Sequence, residues 1–95
     1  MKDYIKKLGN KIVPVLRRYE VVRAALFGSC VRDELREDSD IDVLVEIKKD
    51  ISLLDFVGLK LEIEEALGRK VDLIEYNTIK PLLRERILKE QVVIL

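Results

Sequence analysis

Apolar residues recur every three or four positions in two stretches of the chain, which is the spacing of one face of an α-helix. The first stretch covers residues 3–19, with Pro14 inside it marking a kink or a restart of the helix. The second runs from Ser52 to the residue before Gly68. Ser52 followed three residues later by Asp55 resembles a capping box, and Gly68 fits a helix end. The pattern therefore predicts two amphipathic helices.

Three shorter runs have the composition or the alternation of β-strands. Residues 21–27 (VVRAALF) form an apolar run that is typical of a buried strand. Residues 40–47 (DIDVLVEI) alternate with a period of two, so that their apolar side chains share one face. Residues 71–76 (VDLIEY) alternate in the same way. Residues 92–95 are predicted to add a short strand or to pack as an apolar tail.

The remaining segments complete one small layered fold. Residues 30–37 are predicted to form a short helix after the first strand, and residues 77–78 (Asn-Thr) to cap a last helix with Pro81 in its first turn. Helices and strands thus alternate along the chain. This order favours an α/β fold of the α+β type, a small mixed sheet of three to four strands with helices packed against it. We expect a single domain over residues 1–95.

The composition excludes several classes of protein and of reaction centre. The chain of 95 residues is 48% hydrophobic and 38% charged, as expected of a soluble globular domain. It has no run long enough to span a membrane and no N-terminal signal sequence, so we expect a cytoplasmic protein. It contains no histidine and one cysteine, Cys30, which excludes Ser-His and Cys-His catalysis, internal disulfides and zinc clusters. Carboxylates, hydroxyls, lysines and arginines remain as catalytic groups.

Three aspartates stand out because carboxylates are disfavoured in strands. Asp40 and Asp42 lie two residues apart on one predicted strand, so their side chains share a face and stand about 7 Å apart along it. Two such carboxylates repel each other unless a cation lies between them. Asp72 belongs to another strand that could pair alongside. Carboxylate oxygens suit Mg²⁺, and three carboxylates can hold two ions for phosphoryl transfer.

A candidate phosphate site precedes these aspartates. Gly28 at the end of a strand lets the backbone approach a ligand closely, and the Ser29 hydroxyl adds a hydrogen bond. The helix predicted over residues 30–37 would present free N–H groups and the positive end of its dipole. Arg32, one turn into that helix, could reach a phosphate oxygen. Taken singly, these features are more typical of ordinary turns and solvated strand faces; their combination and order make the site specific.

The charges are balanced but unevenly distributed. The chain carries 18 basic and 18 acidic residues. Residues 1–23 are mainly basic and residues 33–42 mainly acidic. This distribution suits a polyanionic substrate held through a metal ion, and it also suits ordinary solvated helix faces.

The spacing of the candidate residues resembles that of a known family. Gly-Ser at 28–29, ten further residues and Asp-Ile-Asp at 40–42 are similar to the signature of the DNA polymerase beta-like nucleotidyltransferase superfamily. The size of the chain and the run LFGSCVRDELREDSDIDVLVEI resemble its minimal nucleotidyltransferases. Those proteins form the antitoxin half of a module whose other half is a HEPN-domain ribonuclease toxin. The resemblance covers residues 22–75 strongly and the flanking helices loosely.

This resemblance implies a nucleotidyltransferase fold and a role for each candidate residue. The residues implied in nucleotide binding are Gly28, Ser29, Arg32 and Ser39. The residues implied in catalysis and in holding two Mg²⁺ ions are Asp40, Asp42 and Asp72. Asp72 would also help to activate the acceptor hydroxyl. Asp33 departs from the family pattern, which often has glycine after the arginine, and it adds a negative charge near the phosphates.

The implied activity is Mg²⁺-dependent transfer of AMP from ATP to a hydroxyl, with a tyrosine of a HEPN-domain toxin as the favoured acceptor. The chain is too short to carry an acceptor-binding domain, so either a second chain completes the site, in a homodimer or hetero-oligomer, or the acceptor is itself a protein. Two alternatives stay open. The chain could be a binding module that neutralises its partner in a stoichiometric complex. It could also modify RNA through its basic N-terminal helix, although an aromatic content of 5% gives that alternative the least support.

Overall fold

The computed structural model describes residues 3–95 as a sheet with helices on both faces. Its elements in chain order are α1 (Asp3–Arg18), β1 (Val21–Phe27), β2 (Ile41–Ile47), α2 (Leu53–Leu67), β3 (Val71–Glu75), α3 (Pro81–Glu90) and β4 (Val92–Val93). Short 3₁₀ turns, Gly28–Cys30 and Tyr76–Thr78, follow β1 and β3. Among residues 3–95, none of the helices combines the length and the hydropathy that a transmembrane span requires.

The sheet is mixed, as the sequence predicts, and its strand order is β3-β2-β1-β4. Strand β1 is antiparallel to both β2 and β4, whereas β2 and β3 are parallel. The register sets Asp42 opposite Phe27 on one side and opposite Asp72 on the other. The C-terminal end of β1 and the N-terminal ends of β2 and β3 therefore meet at one end of the sheet.

The face of the sheet under α1 and α2 carries the larger hydrophobic core. The period of two in β2 directs Ile41, Val43 and Val45 to this face, where all three are fully buried. Helix α1 contributes Ile12 and α2 contributes Leu59 to the same cluster. No polar or charged residue in the described part of the chain is buried, so the apolar interior is uninterrupted.

The opposite face carries a smaller cluster. Its buried residues are Ala25, Phe27, Leu44, Tyr76 and Ile79. Helix α3 covers this cluster with side chains that are only partly buried, and it contains no fully buried residue. Alternation along β2 and β3 places Asp42 and Asp72 on this second face, beyond the edge of the apolar cluster.

The predicted ends of α2 are confirmed in atomic detail. The backbone N–H of Asp55 donates to the Ser52 hydroxyl oxygen over 3.1 Å, which satisfies one of the free donors at the helix start. Gly68 has a φ of 67° and ends the helix in the left-handed conformation that glycine adopts without steric cost. Strand β1 covers residues 21–27 as predicted, and β3 ends at Glu75, one residue before the predicted end. Strand β2 begins at Ile41, so Asp40 lies just before the strand predicted to contain it.

Two expectations at the ends of the chain need adjustment. Helix α1 runs without a break from Asp3 to Arg18, so Pro14 does not restart it. Residues 77–78 do not cap α3, because they belong to the 3₁₀ turn; Lys80 occupies the cap position and Pro81 the first turn. The pair Val92–Val93 forms the short strand, and the N–H groups of Ile94 and Leu95 donate to the Ala24 carbonyl.

The helix predicted over residues 30–37 is wrong. Only the single turn Gly28–Cys30 is helical, and the chain then continues through turns and irregular backbone to β2. The reason is local, because Asp33 has a φ of 61°, and a residue in the left-handed region interrupts a right-handed helix. This conformation also accounts for the presence of aspartate at position 33, where the resembled family often has glycine. Glycine adopts a positive φ freely, and aspartate is among the residues that tolerate it best.

Candidate active site

The candidate site is assembled at the end of the sheet where three strands meet. Asp42 lies on β2, directly beside Asp72 on the parallel strand β3. On its other side, Asp42 pairs with Phe27, after which Gly28 begins the 3₁₀ turn. Asp40 precedes β2 by one residue and is exposed, as is Asp72, whereas Asp42 is half-buried. The structure therefore brings the predicted glycine and the strand carboxylates together.

Gly28 and Asp42 fit each other closely. Gly28 has a φ of 75°, and a Cβ atom built on it would lie 2.1 Å from Oδ2 of Asp42. Such a contact is well inside the van der Waals limit, so any side chain at position 28 would displace the carboxylate. The glycine is thus required for two reasons, its backbone conformation and the space it leaves for Asp42.

The carboxylate of Asp42 is under electrostatic strain. Burial first, and then the negative charges of Asp72 and Asp40, raise its pKa from 3.8 to about 6. The positive charge of Arg32 acts in the opposite direction. Burial raises the pKa of the neighbouring Cys30 thiol to about 11, and the charge of Asp42 adds to that effect. Cys30 is therefore a neutral, buried thiol at pH 7, and its Sγ donates to the Phe27 carbonyl.

The residues present fit a magnesium ion. A cation beside Asp42 would relieve the repulsion that raises its pKa, and the available donors are the carboxylate oxygens that Mg²⁺ prefers. Within residues 3–95 no three Asp, Glu or Cys side chains converge as a ready-made metal cluster. Mg²⁺ does not require one, because it keeps several waters and binds through one or two carboxylates together with substrate phosphates.

The segment predicted to bind phosphate differs in conformation from the prediction. A single 3₁₀ turn has no macrodipole comparable to that of a helix, so the predicted attraction from a helix N-terminus does not apply. The turn is held by its own backbone. The N–H groups of Val31 and Arg32 donate to the Gly28 carbonyl, and that of Glu34 donates to the Ser29 carbonyl. Ser29 is half-buried at the start of this turn.

Arg32 is engaged with two glutamates. Its Nε donates to Glu34 over 3.1 Å and its Nη1 donates to Glu90 at the end of α3. The hydrogen bond from Arg32 to Glu90 is the main reason that the pKa of the guanidinium is raised. The sequence gives no signal for Glu90, which lies 58 residues further along the chain and meets Arg32 only through the packing of α3.

Ser39 stabilises the loop that leads to Asp40. Its hydroxyl oxygen accepts a hydrogen bond from the Arg36 backbone N–H over 3.0 Å. Arg69 reaches the same loop from the turn between α2 and β3, and its Nη2 donates to three backbone carbonyls there. Sequence reasoning did not identify Arg69. Its partners are carbonyl oxygens about thirty residues away, which no side-chain motif reveals.

A comparison with protein families decides the family of the chain. A family model described as "Polymerase beta, Nucleotidyltransferase" matches residues 10–95. The chain belongs to this nucleotidyltransferase family. The match includes all the candidate site residues, and it confirms the resemblance and the fold class that the sequence predicts.

Two curated relatives are similar over most of their length. A protein of Methanocaldococcus jannaschii named "Putative protein adenylyltransferase" is 52% identical over 91 residues, which cover 96% of this chain and 98% of the relative. The protein adenylyltransferase MntA of Thermococcus cleftensis is 40% identical over 75 residues, covering 79% of this chain and 76% of the relative. With the family match, they identify the chain as an enzyme of the nucleotidyltransferase class.

Solved structures share the fold. A structure described as that of a "putative minimal nucleotidyltransferase" has a TM-score of 0.80 and 37% identity, covering 95% of this chain and 92% of that one. A toxin–antitoxin structure with AMP-PNP has a TM-score of 0.80 at 24% identity, covering 92% and 72%. A structure of tri-AMPylated Shewanella oneidensis HEPN toxin with MNT antitoxin has a TM-score of 0.74 at 22% identity, covering 96% and 71%. At these lower identities the likeness shows the fold alone.

Proposed function

We propose that this nucleotidyltransferase moves AMP from ATP to a hydroxyl group of a protein, with a tyrosine of a HEPN-domain toxin as the acceptor. The observation that carries the proposal is the pairing of Asp42 with Asp72 on adjacent strands beside the Gly28 turn. Protein adenylyltransferase is also the activity named for both curated relatives. An ATP analogue and an AMPylated HEPN toxin occur in two structures of the same fold.

The carboxylates are proposed to hold two Mg²⁺ ions, with Asp40 and Asp42 serving both ions and Asp72 one of them. When bound, Mg²⁺ would neutralise phosphate charge and lower the pKa of the acceptor hydroxyl. Asp42 is the half-buried member of the three carboxylates, and it lies between the Gly28 turn and Asp72.

The proposed transfer forms one bond to the α-phosphorus and breaks another. The oxygen of the acceptor hydroxyl attacks the α-phosphorus of ATP, the bond from the α-phosphorus to the bridging oxygen breaks, and pyrophosphate leaves. The hydroxyl proton passes to Asp72, the exposed carboxylate on β3, which is the best-placed base in a chain without histidine. AMP then stays on the acceptor as a phosphodiester.

The nucleotide is proposed to lie along the turn after β1. The backbone of Gly28 and the hydroxyl of Ser29 would contact the triphosphate, and Ser39 would contact it from the loop before Asp40. Arg32 would exchange its carboxylate partners for a phosphate oxygen, which is a comparable charge-assisted hydrogen bond. Because Glu90 competes for that guanidinium, binding of ATP would loosen the contact between this turn and α3.

The proposed acceptor tyrosine lies on a second chain. Within residues 3–95, Asp40 and Asp72 are exposed at the end of the sheet, where the toxin would present that tyrosine in a hetero-oligomer. A homodimer is the other assembly expected from the sequence. The cytoplasmic location expected from the sequence stays a prediction.

The test uses ATP labelled at the α-phosphate, with MgCl₂, the purified chain and a lysate of the source organism. Wild type is expected to label one protein, and Asp42→Asn to lower the labelling rate at least about 100-fold, because it removes one charged metal ligand. Asp38→Asn is the matched control, since Asp38 is an exposed aspartate in the loop that precedes β2. Mass spectrometry of the labelled protein identifies the acceptor and the modified side chain.

Other outcomes would replace the proposal. Equal labelling by wild type and Asp42→Asn would contradict the role of the carboxylates. Label on RNA would show a transferase that acts on nucleic acid. A stable stoichiometric complex without label, kept by Asp42→Asn, would show the binding module that neutralises its partner by occupancy.

A further inference from the structure

The loop of residues 36–39 leads directly to Asp40 and has little secondary structure of its own. Two hydrogen bonds close it into a turn. The Ser39 N–H donates to the Arg36 carbonyl over 3.1 Å, and the Arg36 N–H donates to the Ser39 hydroxyl over 3.0 Å. These contacts fix the shape of the loop, but neither of them fixes the loop to the sheet. Ile41, on the other side of Asp40, is held to the turn before β3 by its N–H, which donates to the Lys70 carbonyl. It is therefore the loop before Asp40 that needs a further contact.

Arg69 supplies that contact. Its Nη2 atom donates to the carbonyl oxygens of Arg36, Glu37 and Ser39; the Ser39 distance is 2.9 Å and the Glu37 distance 3.2 Å. One Nη2 carries two protons, so the three acceptors share them. The Nε atom of Arg69 is buried and has no hydrogen-bond partner within residues 3–95. The hydrogen bonds that the described residues make with this guanidinium therefore all go to the loop carbonyls.

The backbone that carries Arg69 is itself fixed. The Gly68 N–H donates to the Glu64 carbonyl over 2.8 Å at the end of α2, and the Val71 N–H donates to the Glu64 carboxylate over 2.8 Å. The Lys70 carbonyl accepts from the Ile41 N–H over 3.0 Å, which begins the pairing of β3 with β2. Three contacts thus hold the turn before β3 in place, and the side chain of Arg69 extends from a rigid support.

We propose that Arg69 is a positioning residue that clamps the loop of residues 36–39 and so sets the place of Asp40 beside Asp42. Arg69, Ser39 and Asp40 line one cleft of about 300 Å³. The consequence for catalysis rests on the proposed function, because it requires Asp40 to be a metal ligand. The clamp itself is a property of the folded chain.

The geometry also explains the choice of arginine. The planar guanidinium fixes the directions of the two Nη2 protons, which are shared among carbonyls that lie close together. A lysine keeps the charge and carries three donor protons, but its flexible stem orients them less firmly toward these carbonyls. Arg69→Lys is therefore expected to keep part of the clamp and Arg69→Gln to lose nearly all of it.

Amide hydrogen exchange of the metal-free protein tests the clamp directly. In Arg69→Gln the Ser39 amide is expected to exchange at least about 10-fold faster, while the amides of β1 keep their rates. Arg69→Lys is expected to lie between wild type and Arg69→Gln. Arg17→Gln is the control, because Arg17 is an exposed arginine on α1, and it should change neither rate.

Titration with Mn²⁺, followed by water proton relaxation, tests the consequence at Asp40. Arg69→Gln is expected to weaken Mn²⁺ binding about 10-fold, as loss of an outer positioning contact does at other metal sites. The kcat of AMP transfer should fall by a similar factor, and the KM for ATP should rise, because Ser39 of the same loop is proposed to contact the triphosphate. Partial recovery of Mn²⁺ binding and of kcat in Arg69→Lys would separate positioning from a general loss of structure.

The outcomes separate the clamp from the proposed function. An unchanged Ser39 exchange rate in Arg69→Gln overturns the clamp, and so does equal acceleration throughout β1. If wild type transfers no AMP but the selective loss of Ser39 protection is observed, the proposed function fails and the clamp stands. If Arg69→Gln does not fold, Arg69→Lys is judged by the same ratio of Ser39 to β1 exchange.

Discussion

The two faces of the sheet differ in what their side chains do. Under α1 and α2 the side chains are apolar and close-packed, and residues such as Ile12, Leu59 and Ile63 are fully buried. The other face carries a cluster of five buried residues, and the carboxylate of Asp42, whose pKa is raised, lies beyond the edge of that cluster. Helix α3 covers that face without one fully buried side chain.

This difference indicates that stability and chemistry are built on opposite faces. A carboxylate with a raised pKa lowers the free energy of unfolding when it is ionised, so its cost must be offset elsewhere. The face under α1 and α2 supplies that offset, because it buries apolar area without any buried polar group. Helix α3 can then stay loosely packed, and the end of the sheet above it stays open to substrate.

The largest expected effect comes from truncating a core residue on the α1–α2 face. Leu59→Ala should lower the free energy of unfolding by about 3–4 kcal/mol, because the side chain is fully buried and its removal leaves a cavity. Leu88→Ala, the same change at a partly buried position of α3, should cost about 1 kcal/mol. Urea unfolding at pH 7.5 measures both values. Equal losses at the two sites would show that α3 carries as much of the stability as the main core.

The difference between the two faces of the sheet is largely predictable from the alternation and spacing of residues in the sequence. The period of two in residues 40–47 separates the buried Ile41, Val43 and Val45 from Asp42, and the register of the sheet then follows from burial on one face. Ser52 and Gly68 define α2 through local capping chemistry. These features are predictable because each depends on neighbours in the chain and on one buried face.

The parts that sequence reasoning missed depend on contacts that are distant along the chain or on a single backbone angle. Arg69 binds carbonyl oxygens of residues 36–39, and carbonyls are the same in every sequence. Glu90 reaches Arg32 only because α3 folds over the second face. The helix expected at residues 30–37 fails at Asp33, whose left-handed conformation leaves little trace in a helical pattern of side chains.

A smaller effect is expected from neutralising the strained carboxylate. In the folded chain the carboxyl of Asp42 has a pKa of about 6, whereas its ordinary pKa is 3.8. Between these pH values the folded state binds more protons than the unfolded state, so stability falls as the pH rises. A difference of about two pKa units corresponds to about 3 kcal/mol at most, and we expect Asp42→Asn to recover about 1–2 kcal/mol above pH 6.5.

Urea unfolding of metal-free wild type and Asp42→Asn at pH 4.5 and 7.5 measures this gain. The stabilisation should be present at pH 7.5 and small at pH 4.5, where wild type is mostly protonated. Excess Mg²⁺ should reduce the difference at pH 7.5, since it stabilises only the wild-type site. Asp38→Asn, the same change at an exposed aspartate in the loop before β2, should show no such pH dependence. A gain in stability that is the same at both pH values would mean that burial and neighbouring charges do not control the pKa of Asp42.

The smallest effect concerns the backbone at Asp33. Asp33→Gly and Asp33→Ala both remove the same carboxylate and every contact it makes, so their difference reports the backbone conformation. Glycine accepts a φ of 61° without a Cβ clash, although it loses more entropy on folding. We expect Asp33→Gly to be about 0.5–1 kcal/mol more stable than Asp33→Ala in urea unfolding.

Position 38 supplies the matched control for this pair. Among the described residues other than glycine, Glu20 and Asp33 have a positive φ and Asp38 does not. Asp38→Ala should therefore be more stable than Asp38→Gly, which reverses the order expected at position 33. If alanine is also the more stable residue at 33, the left-handed turn is not what interrupts the helix. The interruption would then have to come from the close approach of Gly28 to Asp42, which ties the start of this segment to the acidic face of the sheet.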